Sequence, residues 1–426
     1  MSSPSSPLEL CAPLDPATAA EPRERRALPR RYDAILLASF GGPESPQDVL
    51  PFLRNVTRGR GVPDERLAEV GEHYYALGGR SPINEQNLAL IEALRAELAG
   101  RGIDLPIAWG NRNWHPSMAE AVRGLHADGH REVLAIATSV YSSYSSCRQY
   151  REDIGHALVE TGLLGSLRID KVRPAFSHPG FLAPMVDGVL TALSQLEAEG
   201  HGPDRTRILF STHSIPVAMA EASGPAEERG DGPAHWYVRQ HEAACRWIAD
   251  RVRERIGDAA PQIGWELVFQ SRSGAPHIPW LEPDVNDVIA RIAGERSAEA
   301  VVVVPLGFIS DHVEVIWDLD TEARRSAQEH GLAFRRVPTS GTDPRFVAAL
   351  ADLVEERLRA DAPRRAVTDF GPTPDVCGTA CCLAGSARTR RAPTTSALDS
   401  AEDLEAVRDE GAAGNAGTGA GAEEGR

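Results

Sequence analysis

Residues 300–322 read AVVVVPLGFISDHVEVIWDLDTE. The first part, 300–309, is apolar, rich in β-branched residues and free of polar alternation. That predicts a strand buried on both faces, as in a parallel sheet. The second part, 311–322, is charged and aromatic and predicts a helix. Wound as an α-helix, Glu314, Asp318 and Glu322 lie four apart on one face, and Asp311, three before Glu314, joins the row. Like charges at this spacing repel by roughly a few tenths of a kcal/mol per pair. The row has two readings: a solvated acidic face, or a route for a cation or a proton.

Working outward, the strand-then-helix pattern recurs. Strands are expected at 32–40, 105–110, 132–138 and near 167–172, with helices at 45–56, 64–76, 84–98 and 117–128 between them and a further helix after Tyr150. The pattern then restarts: a strand at 207–212 ends in His213-Ser-Ile-Pro216, followed by a helix at 240–256, a strand at 265–270, a helix at 283–293 and the run at 300–305. The interval between the two best apolar strands is nearly the same in both halves. The expected fold class is α/β: two similar Rossmann-like, doubly wound parallel-sheet domains, at 31–180 and 181–345, with a site in the cleft at the strands' carboxyl ends. A helix at 346–360 is expected to brace them.

The ends differ in composition. Residues 1–30 are rich in Pro, Ser and Arg and are expected to be a disordered leader. A Cys-containing segment spans 361–395. The tail, 396–426, is expected to be disordered and acidic; from Ala397 it holds eight acids against two arginines. A net charge of −16 argues against nucleic acid as the main partner. The longest apolar run is too short to span a bilayer, and the leader has no secretory h-region, so the cytoplasm is the expected compartment. There, six cysteines are not expected to pair as disulfides. Lys171 is the only lysine among 45 basic residues, which reads as codon bias.

His213 closes a strand at the expected cleft. A lone histidine is more often structural, but a neutral imidazole there can be a metal ligand, a general base or both. With Glu314 it offers one nitrogen and carboxylate oxygens, a set that suits a loosely held borderline ion such as Fe²⁺ and is too small for a structural site. The loop at 141–150, with Trp109, Trp114, Trp280 and Trp317, can wall a cleft for a flat aromatic ligand; core packing is the simpler account of any one of them. Arg58, Arg60 and Arg112 can bind ligand carboxylates or serve as surface charge. Cys377, Cys381 and Cys382 form a C-x3-C-C cluster of soft donors, fit for an iron–sulfur cluster or zinc, or left as free thiols.

Five motifs occur in order: Phe40-Gly-Gly-Pro43, Gly78-Gly-Arg-Ser-Pro-Ile83, Ser211-Thr-His-Ser-Ile-Pro216, Pro279-Trp-Leu-Glu-Pro283 and Gly307-Phe-Ile-Ser-Asp-His-Val-Glu314. Together they resemble the ferrochelatase family over residues 32–358. The resemblance implies two Rossmann-like domains around a porphyrin cleft, with Fe²⁺ as a substrate inserted as two protons leave. It implies His213 as the histidine facing the porphyrin nitrogens and Glu314 opposite it as the second catalytic and metal-contacting group, with Asp318 and Glu322 as an acidic relay. Ser81, Tyr150, Arg58, Arg60, Arg112 and Phe40 would contact the porphyrin. Phe40 departs from members with a tyrosine there that can reach the iron. The resemblance also implies a [2Fe–2S] cluster on Cys377, Cys381 and Cys382, with Cys147 as the fourth ligand and Cys245 as the competing choice. Within the family the chain is similar to enzymes that make Fe-coproporphyrin III in haem biosynthesis. The alternatives are protoporphyrin IX as substrate, a non-catalytic tetrapyrrole carrier, and a cobalt chelatase of the corrin branch. The expected state is a monomer that meets neighbouring haem-pathway enzymes transiently.

Overall fold

The computed structural model describes residues 14–18, 20–59, 61–228, 235–257, 263–273, 277–378 and 381–385. In the first half, strands β1 (Ala34–Ser39), β2 (Ile107–Asn111), β3 (Glu132–Ala137) and β4 (Arg168–Lys171) alternate with helices α1 (Val49–Val56), α2 (Asp64–Ala76), α3 (Ile83–Gly100), α4 (Met118–Ala127) and α5 (Gln149–Glu160). The second half begins with α6 (Pro179–Ala198). It continues through β5 (Thr206–His213), α7 (Val217–Glu221), α8 (Trp236–Ile256), β6 (Gly264–Gln270), α9 (Val285–Glu295), β7 (Ala300–Val304), α10 (Val313–Val315), α11 (Arg324–Glu329), β8 (Ala333–Arg336) and α12 (Pro344–Leu358).

The strands form two parallel sheets with orders β2-β1-β3-β4 and β6-β5-β7-β8. The second order repeats the first strand for strand, so the doubly wound α/β architecture occurs twice. Alternate residues of each central strand serve opposite layers. Ile35 and Leu37 of β1 join Ile208 and Phe210 of β5 in one core shared with α3, α6, α8 and α12. Ala34, Leu36 and Ala38 face α4 and α5, while Val301 and Val303 of β7 face α9 and α11. Each of Val301 to Val304 is fully buried, which is why that run shows no polar alternation.

Local chemistry sets the helix starts. Ser117 and Glu120 make a reciprocal capping box at α4, worth about 1 kcal/mol. Asp284 and Asp343 cap α9 and α12, the latter with Pro344 in the first turn. The closing helix braces both halves. It packs on α6 and α3. Arg101 of α3 pairs with Asp352 at 2.6 Å and Glu355 at 3.0 Å. Arg357, fully buried, donates to the Lys171 carbonyl and the Tyr32 hydroxyl, both at 2.9 Å, and Tyr32 in turn donates to Asp170.

Three expectations change. The helix at 311–322 is not α-helical throughout: Ile316–Ala323 is a π-helix. Asp311 leaves the acidic row, because Arg336 of β8 holds it at 2.8 Å together with Asp320 at 2.7 Å. The described part of the leader is ordered. Leu14 pairs with Ala27, Ala27 is buried against Val376, and Arg25 accepts a backbone hydrogen bond from Asp375. Residues 1–13 and 386–426 lie outside the described residues, as do Cys11 and Arg60.

Candidate active site

Both sheets point their carboxyl ends at one cleft with about 1420 Å³ of atom-free space, open mouth included. Phe40 and Gly41 follow β1, Arg112 and Asn113 follow β2, and Thr138 and Ser139 follow β3. From the other side come His213 to Pro216 at the end of β5, Ser273 after β6 and Gly307 to Ser310 after β7. Gly307 has a steric reason: a Cβ there would sit 2.0 Å from the Thr212 hydroxyl oxygen. The chain must pass that close for the β7 loop to lie beside His213.

The His213 ring is fixed at one edge. Its Nδ1 bonds the Ser214 carbonyl, so Nδ1 carries the proton and Nε2 presents a lone pair to the cleft. Nε2 lies 3.7 Å from a Glu314 oxygen. Tyr237 lines the cleft beside them and donates to the His213 carbonyl at 2.9 Å. Behind it His241 stacks flat on Tyr141, ring centroids 3.6 Å apart, and burial drives its pKa down to about 3. That neutral ring bonds the Thr212 hydroxyl at 2.9 Å and stiffens the end of β5.

Glu314 opens the acidic row and lines the cleft; Asp318 and Glu322 lie behind it. Burial, reinforced by the charges of Glu314 and Glu322, raises the pKa of Asp318 to about 7, against hydrogen bonds from Ser271 and Gln270 that favour its charged form. Ser271 has φ 61°, a left-handed conformation costing about 1–3 kcal/mol in a residue other than glycine. Its hydroxyl contact with Asp318 accompanies that strain. Glu322 accepts from the Trp317 indole at 3.0 Å, and His73 stacks on Trp317 at 4.3 Å. Burial, ahead of the neighbouring charges, lowers the pKa of His73 and His312 and raises that of Tyr74. Among the described residues no three His, Cys, Asp or Glu side chains form a ready metal cage.

The expected ligand contacts divide. Ser81, Tyr150, Arg112 and Phe40 line the cleft; Phe40 rests edge-on against Phe52. Arg112 lies 4.0 Å over the Tyr150 ring, and its Nε bonds Asp153 at 2.5 Å. One of its terminal nitrogens is buried without a hydrogen-bond partner. Arg58 does not line the cleft: it is exposed and held by Asn55 at 2.6 Å. Trp280 lines the cleft, whereas Trp109 packs against the core and Trp114 against Phe52. Tyr74, Asn113, Tyr237 and His312 line the cleft without having been expected there. For His312 the signal was its place between Asp311 and Glu314.

The cysteines come together around a second π-helix, Tyr144–Arg148. The Cys381 thiol donates to the Cys382 sulfur at 3.7 Å, and the neighbouring Cys147 and Cys381 thiols push the Cys377 thiol well below its usual pKa. Lys171 and Arg151 add positive charge nearby. Cys245 lies instead in the core on α8.

The ferrochelatase family model matches residues 32–358. The chain belongs to the ferrochelatase family. It is similar to a protein named coproporphyrin III ferrochelatase from Streptomyces coelicolor, 54% identical over 84% of this chain and 95% of that one. A relative of the same name from Leifsonia xyli is 54% identical over 83% of this chain and 92% of that one. A ferrochelatase from Rhodopirellula baltica is 47% identical over 83% and 93%. As a ferrochelatase, the chain is an enzyme that inserts a metal ion into a porphyrin. No helix among the described residues is long and apolar enough to cross a membrane.

Proposed function

We propose that this ferrochelatase inserts Fe²⁺ into coproporphyrin III, giving Fe-coproporphyrin III. The observation that carries the reading is the buried Arg112 nitrogen without a partner on the cleft wall. A buried guanidinium N–H left unpaired costs roughly 1–3 kcal/mol or more, and a carboxylate satisfies it. The neighbouring wall is rich in hydroxyls, from Thr138, Ser139, Ser145 and Ser146, where a protoporphyrin vinyl group gains little. The names of the relatives point the same way.

In the proposed reaction Fe²⁺ replaces the two pyrrole protons: His213 Nε2 accepts the first, passes it to the Glu314 carboxylate 3.7 Å away, and then accepts the second. Asp318, with its pKa near the working pH, takes and releases protons between Glu314 and Glu322. Phe40 supplies packing and no ligand to the iron.

We further propose, as the finer assignment, a [2Fe–2S] cluster on Cys147, Cys377, Cys381 and Cys382. The soft thiol donors and the burial of Cys147, Cys381 and Cys382 support it, with Lys171 and Arg151 offsetting thiolate charge; the four sulfurs do not stand as a ready cage and would have to close on the cluster. Such a cluster would supply one-electron redox chemistry; no step of metal insertion needs it.

The test is anaerobic metallation with Fe²⁺ and either porphyrin, followed by visible absorbance. Faster turnover of coproporphyrin III is expected. Equal or faster turnover of protoporphyrin IX would transfer the assignment to that substrate, and tight binding without turnover would favour a carrier.

A further inference from the structure

One five-residue turn serves two sites. The π-helix Tyr144–Arg148 places Ser145 and Ser146 on the cleft wall and Cys147 among the thiols. Two consecutive carboxylates near the start of α5 connect the two sides. Glu152 accepts from Arg148 at 2.7 Å and from the Tyr144 hydroxyl at 2.9 Å. Asp153 holds Arg112, which also donates to the Ser145 carbonyl at 3.3 Å. On the far side Arg148 donates to the Cys381 carbonyl at 3.2 Å. A second contact reaches the opposite wall: the Gly224 amide donates to the Cys382 sulfur at 3.2 Å. Beyond it, Gly385 lies so close to α7 that a Cβ would stand 2.2 Å from the Ala218 carbonyl oxygen, next to the cleft residue Met219.

Arg148 is fully buried, and its side chain is a rigid fork that holds two partners in fixed geometry. A shift of the cysteine segment therefore moves Arg148, then Glu152 and Tyr144, and with them the turn against which Arg112 rests. π-Helical turns of this kind recur at functional sites.

We propose that Arg148 is a positioning residue that couples the four-cysteine nest to porphyrin affinity in the cleft. The inference rests on reading the cleft as the porphyrin site. Coupling between binding sites is reciprocal, so porphyrin binding must also tighten the nest.

The experiment uses the full chain as purified. Alkylation rates of Cys147, Cys377, Cys381 and Cys382, which follow opening of the nest whether or not a cluster occupies it, are read by peptide mass without and with saturating coproporphyrin III, with iron and sulfide counted in the same samples and fully buried Cys245 reporting global unfolding. Porphyrin binding is followed separately by fluorescence quenching. Porphyrin is expected to slow alkylation of the nest about fivefold or more. Arg148→Lys retains the pair with Glu152 and loses the second arm to Cys381. It is expected to abolish most of that protection and weaken coproporphyrin about fivefold to tenfold. Arg101→Lys, at an arginine paired with Asp352 and Glu355 that lines neither the cleft nor the nest, is expected to lower Tm and leave protection intact. Wild-type protein that binds porphyrin without protecting its cysteines overturns the coupling. Full protection in Arg148→Lys overturns the role of Arg148. No porphyrin binding by the wild type would instead refute the reading of the cleft.

Discussion

Asp318→Asn removes the titration of one buried carboxyl while keeping its size. Moving the pKa from 3.8 in the unfolded chain to about 7 in the fold corresponds to about 4 kcal/mol. The direction follows from linkage. Between those values the native state holds a proton that the unfolded state has lost, so stability falls as pH rises and levels off above about 7. The penalty at Asp318 is about 3 kcal/mol at pH 6 and about 4 kcal/mol at pH 8. The asparagine escapes it, so the variant's advantage in urea unfolding is expected to grow by about 1.4 kcal/mol from pH 6 to pH 8, measured without porphyrin or iron. Its amide still accepts from Ser271, and no charge is stranded. The same variant carries no proton, so metallation should slow by about tenfold or more. A stability advantage that is absent, or constant across this range, would refute the account of Asp318 as a carboxyl held protonated by burial and its acidic neighbours.

Other substitutions test the remaining parts. His213→Ala should reduce kcat for iron insertion by about a hundredfold or more, with the porphyrin Kd within a few fold of the parent; near-normal turnover would remove the base assignment. Arg112→Ala should weaken coproporphyrin III by about tenfold to a hundredfold in fluorescence titration and leave the tetramethyl ester nearly unaffected. Gly307→Ala drives a methyl into Thr212 and should destabilise the fold by about 1–3 kcal/mol in the same urea assay. Iron and acid-labile sulfide, two of each per chain, are expected in protein purified without oxygen, with the visible absorbance lost in Cys377→Ser.

The sequence made strands legible where burial was complete. The runs at 34–39 and 300–304 serve a core on both sides, and nothing polar interrupts them. Other features were less legible. Helix α6 goes unannounced because Pro184 breaks the apolar spacing, although Phe181, Met185, Val189 and Leu193 bury one face. Strand β8 is short and half charged, since Arg335 and Arg336 project toward Glu199, Asp311 and Asp320. That pairing is also what removes Asp311 from the acidic row. At the site, motif order located His213 and Glu314. The family resemblance and its guanidinium placed Arg58 at the ligand, and a hydrogen bond to Asn55 holds it outside the cleft. The π-helical turn that carries Asp318 is a feature of backbone pairing, and residue spacing does not distinguish it from an α-helix.

The closing helix also sets an order of events on the ribosome. Asp170 is fully buried, and its neighbour Tyr32 shares a hydroxyl with Arg357. Lys171 and Arg357 are 186 residues apart, so at about 5–20 residues per second the first sheet waits roughly 10–40 s for its last cation. Until then Arg30, 3.5 Å from Asp170, is that carboxylate's cation, and the Tyr32 hydroxyl lacks the guanidinium that later donates to it. Completion of the first half is thus deferred to the end of synthesis, when the second half is already there to shape the cleft between them.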